Sequence, residues 1–254
     1  MLITNKPILA LVAAVALTAP AFGLAASGHN EAIHPANNDV TNTASLQRGA
    51  RNFVNYCLGC HSAKYVRYNR LGKDLGLSDA QMMENLMWTG ERPHDTMKIT
   101  MQPQDSERWF GRTPPDLSLI ARSRGTDYIY SFLKSFYLDS SRPTGTNNLV
   151  LPMTAMPHVL WELQGYQQAV YDGKSDAEHN AVHKEFKGFE IAQKGSMSPE
   201  EYDQFVRDTV NFLDYIGEPM QIERRNLGLR VLGFLFVFFL FAYFLKQEYW
   251  KDVK

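Results

Sequence analysis

The sequence predicts a mainly α-helical domain with long loops, a small β-hairpin insertion and one C-terminal transmembrane helix. Three observations lead there. Apolar residues recur at helical spacing in well-punctuated segments. The stretches between them are irregular and too long for simple connections. Near the C-terminus lies a run that is apolar on every face, which a soluble helix rarely shows.

Composition excludes several classes. The 254 residues are 21% charged, with 17 Gly and 12 Pro, a balance that fits neither disorder nor a fibrous repeat. Lys and Arg number 26 against 27 Asp and Glu, leaving a net charge of −1, so no nucleic-acid partner is expected. Two cysteines cannot build a disulfide-dense scaffold or a four-thiolate zinc site.

Taken in order, residues 1–26 carry Lys6, an uncharged apolar run over 8–17, and small residues around Ala21, Gly23, Ala25 and Ala26. The run falls short of the ~20 residues a bilayer needs, so a cleaved secretory signal is expected. The polar residues 30–43 should wrap over the surface. Leu46, Ala50 and Phe53, at i, i+4 and i+7, predict a helix over 44–56 that runs into the first cysteine. Ser78 and Gln81 form a capping-box pair for a second helix, with Leu77 as staple and Gly90 after the last turn. Residues 91–116 lack any period and read as a long functional loop. Ile129, Phe132, Leu133 and Phe136 share one face of a helix over 127–137, and residues 140–157 are again irregular.

A β-hairpin excursion is expected within 164–195, which contains Asp172-Gly173 and an alternation through Phe186, Phe189 and Ile191. Ser198, Pro199, Glu200 and Glu201 open a helix that runs to Ile216 and is closed by Gly217 and Pro219. Residues 227–245 are apolar except for Arg230 and are followed by Tyr249, Trp250 and Lys251, predicting a membrane anchor in which Arg230 snorkels. Basic residues flank both ends of this span, so the export signal sets the orientation, with the body outside. The expected organisation is signal peptide 1–26, periplasmic domain 27–222, and anchor with a short cytoplasmic tail 223–254.

Both cysteines lie in Cys57-Leu58-Gly59-Cys60-His61, a C-x-x-C-H. A disulfide or a thioredoxin-like pair competes for this motif, but no βαβ pattern surrounds it. Two thiols on one helical turn can add to the two vinyl groups of a haem, and the following His61 then sits beneath the porphyrin as axial iron ligand. One covalently attached haem c is therefore expected. For the sixth ligand the residues leave Met153, Met156, His158 and His94 open. Pro157 biases Met156 to extended backbone and stiffens its loop. Met82, Met83 and Met87 read as packing residues.

The runs 46–60 (LQRGARNFVNYCLGC) with His61, 65–71 (YVRYNRL), 114–118 (PPDLS), 120–125 (IARSRG), Ala155-Met156-Pro157 and the single C-terminal anchor resemble cytochrome c1 of the quinol:cytochrome c oxidoreductase (cytochrome bc1) complex, nearest its shorter bacterial forms. The resemblance covers nearly the whole mature chain in the family's order. It implies a class I c-type cytochrome-like helical haem domain, thioether links at Cys57 and Cys60, proximal His61 and distal Met156. It also implies Pro115 packing on the haem edge, and Arg124 with Tyr128 near a haem propionate. The Met156 loop departs from the family in its short proline run and in having no further cysteine pair to brace it.

With both axial positions filled, the iron has no open site for substrate, and Met ligation raises the reduction potential. The expected role is one-electron transfer without bond chemistry, so the chain is no enzyme on its own but a subunit of a redox enzyme complex. The resemblance implies an electron arriving from a Rieske iron–sulfur protein beside cytochrome b and leaving to a c-type cytochrome, at the periplasmic face of a bacterial inner membrane. A monohaem electron-entry subunit of a terminal oxidase is the alternative. A haem peroxidase or gas sensor would need an exchangeable sixth site.

Overall fold

The structure, a computed structural model, describes residues 33–175 and 182–252. The expected signal segment lies outside the described residues. Asn42 caps α1 (Thr43–Tyr56) by accepting from the Ser45 amide, and the buried stripe includes Leu46, Gly49, Ala50 and Phe53, as the spacing required. Strand β1 (Ala63–Arg67) and helix α2 (Tyr68–Asp74) follow, both too short to show a period. Helix α3 (Asp79–Asn85) carries the expected capping box of Ser78 and Gln81.

Residues 91–116 are not structureless, contrary to expectation. They hold β2 (Thr96–Met97), antiparallel to β1, and α4 (Pro103–Phe110), which has Pro103 in its first turn and Gly111 at φ 71° after its last. These start and stop signals are ordinary, but Ser106 alone is buried in α4, so no apolar stripe announced it.

Helices α5 (Ile120–Arg124) and α6 (Thr126–Lys134) are separated by Gly125. The helix expected to reach 137 ends at Lys134, because the Asn148 side chain captures the Phe132 carbonyl (2.8 Å) and meets Ser135 Oγ (3.1 Å). Phe136 therefore starts β3 (Phe136–Leu138), antiparallel to β4 (Thr146–Asn148). After α7 (Trp161–Gln164) comes the expected hairpin, β5 (Gly165–Ser175) against β6 (Val182–Lys194). Asp172 and Gly173 lie inside this ladder, opposite Glu185 and Lys184; the reversal falls outside the described residues.

Helix α8 (Pro199–Gly217) opens with the Ser198–Glu201 capping box. After three intervening residues α9 (Gln221–Tyr249) begins, 29 residues long with none buried. It is the one helix among the described residues long and apolar enough to cross a membrane.

Packing of α1 on α8 organises the core. At Gly49 the helices come so close that a Cβ would lie 2.0 Å from the Asp208 carbonyl oxygen and 2.7 Å from Phe212 Cβ. Phe53 and Phe212 meet with ring centroids 5.5 Å apart. A polar seam runs beside them. Asp208, 2% exposed, accepts from Ser45 Oγ (2.6 Å), Arg48 Nε (2.6 Å) and Gln204 Nε2 (2.9 Å). Asn211 Nδ2 donates to Ser45 Oγ and to the Asp39 carbonyl. Each of these donors has an acceptor, which is the condition for a polar seam to survive burial. The leading segment does wrap the surface: the His34 and Ala36 amides donate to Ser131 Oγ and Asp127 Oδ1 on α6.

Candidate functional site

The end of α1 runs directly into the C-x-x-C-H motif. The Cys57 and Leu58 amides both donate to the Phe53 carbonyl, and the His61 amide donates to the Cys57 carbonyl at 2.9 Å. Leu58, 1% exposed, fixes this coil to the core, leaving Cys57 and Cys60 as half-buried free thiols one turn apart. Burial, with the neighbouring Cys60, pushes the Cys57 thiol up to about 12, and burial raises Cys60. A redox dithiol uses the opposite shift.

His61 Nδ1 lies 2.7 Å from the Pro115 carbonyl oxygen. A carbonyl only accepts, so Nδ1 carries the proton, and Nε2 presents a lone pair with no protein partner among the described residues. Burial lowers the His61 pKa against the opposing effects of the Pro115 bond and the Asp116 charge. A short frame holds Pro115 in place. The Leu117 amide donates to the Ser62 carbonyl (2.8 Å), Asp116 accepts from the amides of Lys64 and Ser118 (3.0 Å each), and Ser118 Oγ accepts from the Tyr65 amide. Asp116 was visible in the sequence only as one letter of PPDLS, and nothing in the pattern announced its role as a clamp.

The four candidates for a second ligand separate by environment. Met153 is 66% exposed, at φ 64°, with its sulfur 3.3 Å from Arg142 Nη1. His94 is exposed, and its carbonyl takes a bond from Arg67. His158 is buried against Phe136, and burial pushes it down to about 4. Met156 alone combines a soft donor with a half-buried position, packing on the same core as Cys57, Leu117, Ile120, Tyr128 and Phe132. Among the described residues no hydrogen bond or ring contact joins it to the motif; each packs against that core.

Arg124 and Tyr128 are brought together, the exposed guanidinium carbon 5.5 Å from the ring centroid. Tyr128 in turn stacks on Phe132 at 6.4 Å. The described residues contain no group of three or more His, Cys, Asp or Glu able to hold a bare metal ion. Two adjacent thiols, an imidazole with one nitrogen unengaged, a thioether and a rim of half-buried apolar side chains are instead a donor set suited to haem c.

A helical domain presenting C-x-x-C-H at the end of its first core helix, followed by one C-terminal membrane helix, defines a membrane-anchored c-type cytochrome. The family model described as the cytochrome C1 family matches residues 36–253. The chain is 48% identical to cytochrome c1 of Allochromatium vinosum, over 96% of this chain and 98% of that protein. It is 43% identical to a Nitrosomonas europaea protein named ammonia monooxygenase gamma subunit, over 89% and 91% respectively, and 28% identical to cytochrome c1 of Rhodospirillum rubrum over 82% of each. The chain belongs to the cytochrome c1 family, that of the haem c-binding electron-transfer subunit of the bc1 complex. The terminal-oxidase alternative is not favoured by this match.

Proposed function

We propose that the chain passes single electrons from a Rieske iron–sulfur protein, beside cytochrome b, to a c-type cytochrome on the periplasmic side of a bacterial inner membrane. Residues 1–26 export the body, 27–222 form the haem domain, and 223–254 anchor it with the tail in the cytoplasm. Cys57 and Cys60 would hold one haem c by thioether bonds, and His61 and Met156 would be the side chains that ligate its iron. Bound there, the group supplies one-electron exchange at its iron.

The observation that carries this reading is the His61–Pro115 pairing, which orients the ring and reserves Nε2 for the metal. The neutral thioether of Met156 favours ferrous iron and fills the position a substrate would need. Pro115 packs on the haem edge, and Arg124, held over Tyr128, offers its charge to a propionate. The chain does no bond chemistry of its own.

Paired substitutions test the assignment. Met156→Leu should keep haem attached on a denaturing gel but lose the thioether-to-iron charge-transfer band, lower the potential and admit carbon monoxide. Met153→Leu should change none of these, because an exposed residue outside the site tolerates an apolar swap. The assignment fails if the two variants behave the other way round. The complex reading fails if gentle detergent purification brings no b-type haem and no iron–sulfur signal with the chain.

A further inference from the structure

We infer that His158 is the brace of the Met156 loop, a positioning residue that pins the chain just beyond the ligand to the base of the hairpin. The inference rests on Met156 being the axial ligand.

A thioether binds iron weakly, so the loop that carries it must be held on both sides. Upstream, the β3–β4 ribbon does this. Asn148 Oδ1 accepts from the amides of Val150 (2.9 Å) and Leu151 (3.0 Å), Asn147 Oδ1 from that of Met153 (2.9 Å), and Thr154 Oγ1 from that of Met156 (3.3 Å). Both cysteines belong to the haem motif, so no disulfide secures the downstream side.

His158 stands there instead, 6% exposed. Its ring lies parallel to Phe136 of β3, centroids 5.0 Å apart and planes within 9°, and edge-on to Tyr166 of β5 at 6.3 Å. Nε2 lies 3.3 Å from the Gly165 carbonyl oxygen and donates to it. Gly165 is a fixed point. Its φ is 87°, and a Cβ there would lie 2.1 Å from the Gln193 carbonyl oxygen on β6. The other ring nitrogen, Nδ1, is buried with no hydrogen-bond partner among the described residues. A phenyl ring of similar shape would keep the stacking and avoid that orphan. What the imidazole adds over a phenyl is therefore its bond to Gly165.

The test uses the full-length, haem-loaded chain in mild detergent. Ferric protein is titrated with imidazole, which competes with Met156 for iron, while the charge-transfer band is followed. Loosening the brace makes the thioether easier to displace. His158→Leu, losing stack and bond, should bind imidazole about tenfold more tightly than wild type, equivalent to 1.4 kcal/mol. His158→Phe, losing the bond alone, should gain about threefold. Both should keep covalent haem and show the full band before imidazole is added, and His158→Phe should keep the wild-type urea midpoint. If His158→Leu does not accumulate, His158→Phe decides alone. Wild-type imidazole affinity in His158→Phe, or a gain that merely follows a lowered urea midpoint, overturns the brace while the ligand assignment stands, provided Met156→Leu has lost the band. Persistence of the band in Met156→Leu removes the ligand assignment and the brace together.

Discussion

Replacing Gly49 with alanine forces a methyl group into the closest approach of α1 and α8. The new Cβ would lie 2.0 Å from the Asp208 carbonyl oxygen and 2.7 Å from Phe212 Cβ, where ordinary contact begins at 3.4 Å. The obstacle is backbone and a Cβ, so no rotamer change relieves it, and the helices must separate by roughly 1 Å or more. That movement loosens the Phe53–Phe212 contact and stretches the Ser45 bonds to Asp208 and Asn211 on the same seam. Overpacking costs about 1–3 kcal/mol, and weakened buried hydrogen bonds add about 1 kcal/mol each. Against this, alanine gains about 1 kcal/mol over glycine inside a helix. The net loss is about 2–4 kcal/mol from a total stability of about 5–15 kcal/mol. Urea unfolding of the full-length chain in mild detergent, followed by far-ultraviolet circular dichroism, measures it. Because α1 delivers Cys57, the yield of covalently attached haem should fall with Gly49→Ala as well. An unfolding midpoint at or above wild type would falsify the reasoning, since helix propensity would then outweigh the contact.

Asp116→Asn can serve only one of the Lys64 and Ser118 amides, so the frame under Pro115 should lose about 1–2 kcal/mol. The potential should rise as His61 loses basicity, and an unchanged redox titration would contradict that. Partial burial raises the Asp203 carboxyl, but bonds from Lys134 and Tyr130, with the charges of Lys134 and Arg207, hold it below the usual range. A depressed folded pKa gives stabilisation that is complete above the unfolded value of about 3.9 and is lost as pH falls through the folded one. Asp203→Asn should therefore lower the thermal midpoint at neutral pH, with the gap to wild type closing in acid; a gap that persists in acid counts against the ion cluster. Ending the chain after Pro219 should release a haem-loaded domain from salt-washed membranes, because no residue of α9 is buried. Retention in the membrane would place a second attachment in the body.

What the sequence determined by itself is local. The caps at Ser78 and Ser198, the stripe of α1, the apolar run of α9 and the C-x-x-C-H motif each lie within a few neighbouring positions. Helix α4 escaped because it buries almost nothing and so carries no period, and α6 was drawn too long because its end is set by Asn148, fourteen residues past Lys134, reaching back to the Phe132 carbonyl. Only the tertiary structure separates the two methionines by environment. Met153 and Met156 share a side chain and a loop, and differ in exposure and in the company of Arg142. It alone placed the Pro115 carbonyl on His61, across 54 positions of chain, and buried the His158 ring against Phe136. Burial and long-range hydrogen bonds depend on which distant segments fold together, and no periodicity within a single segment encodes that.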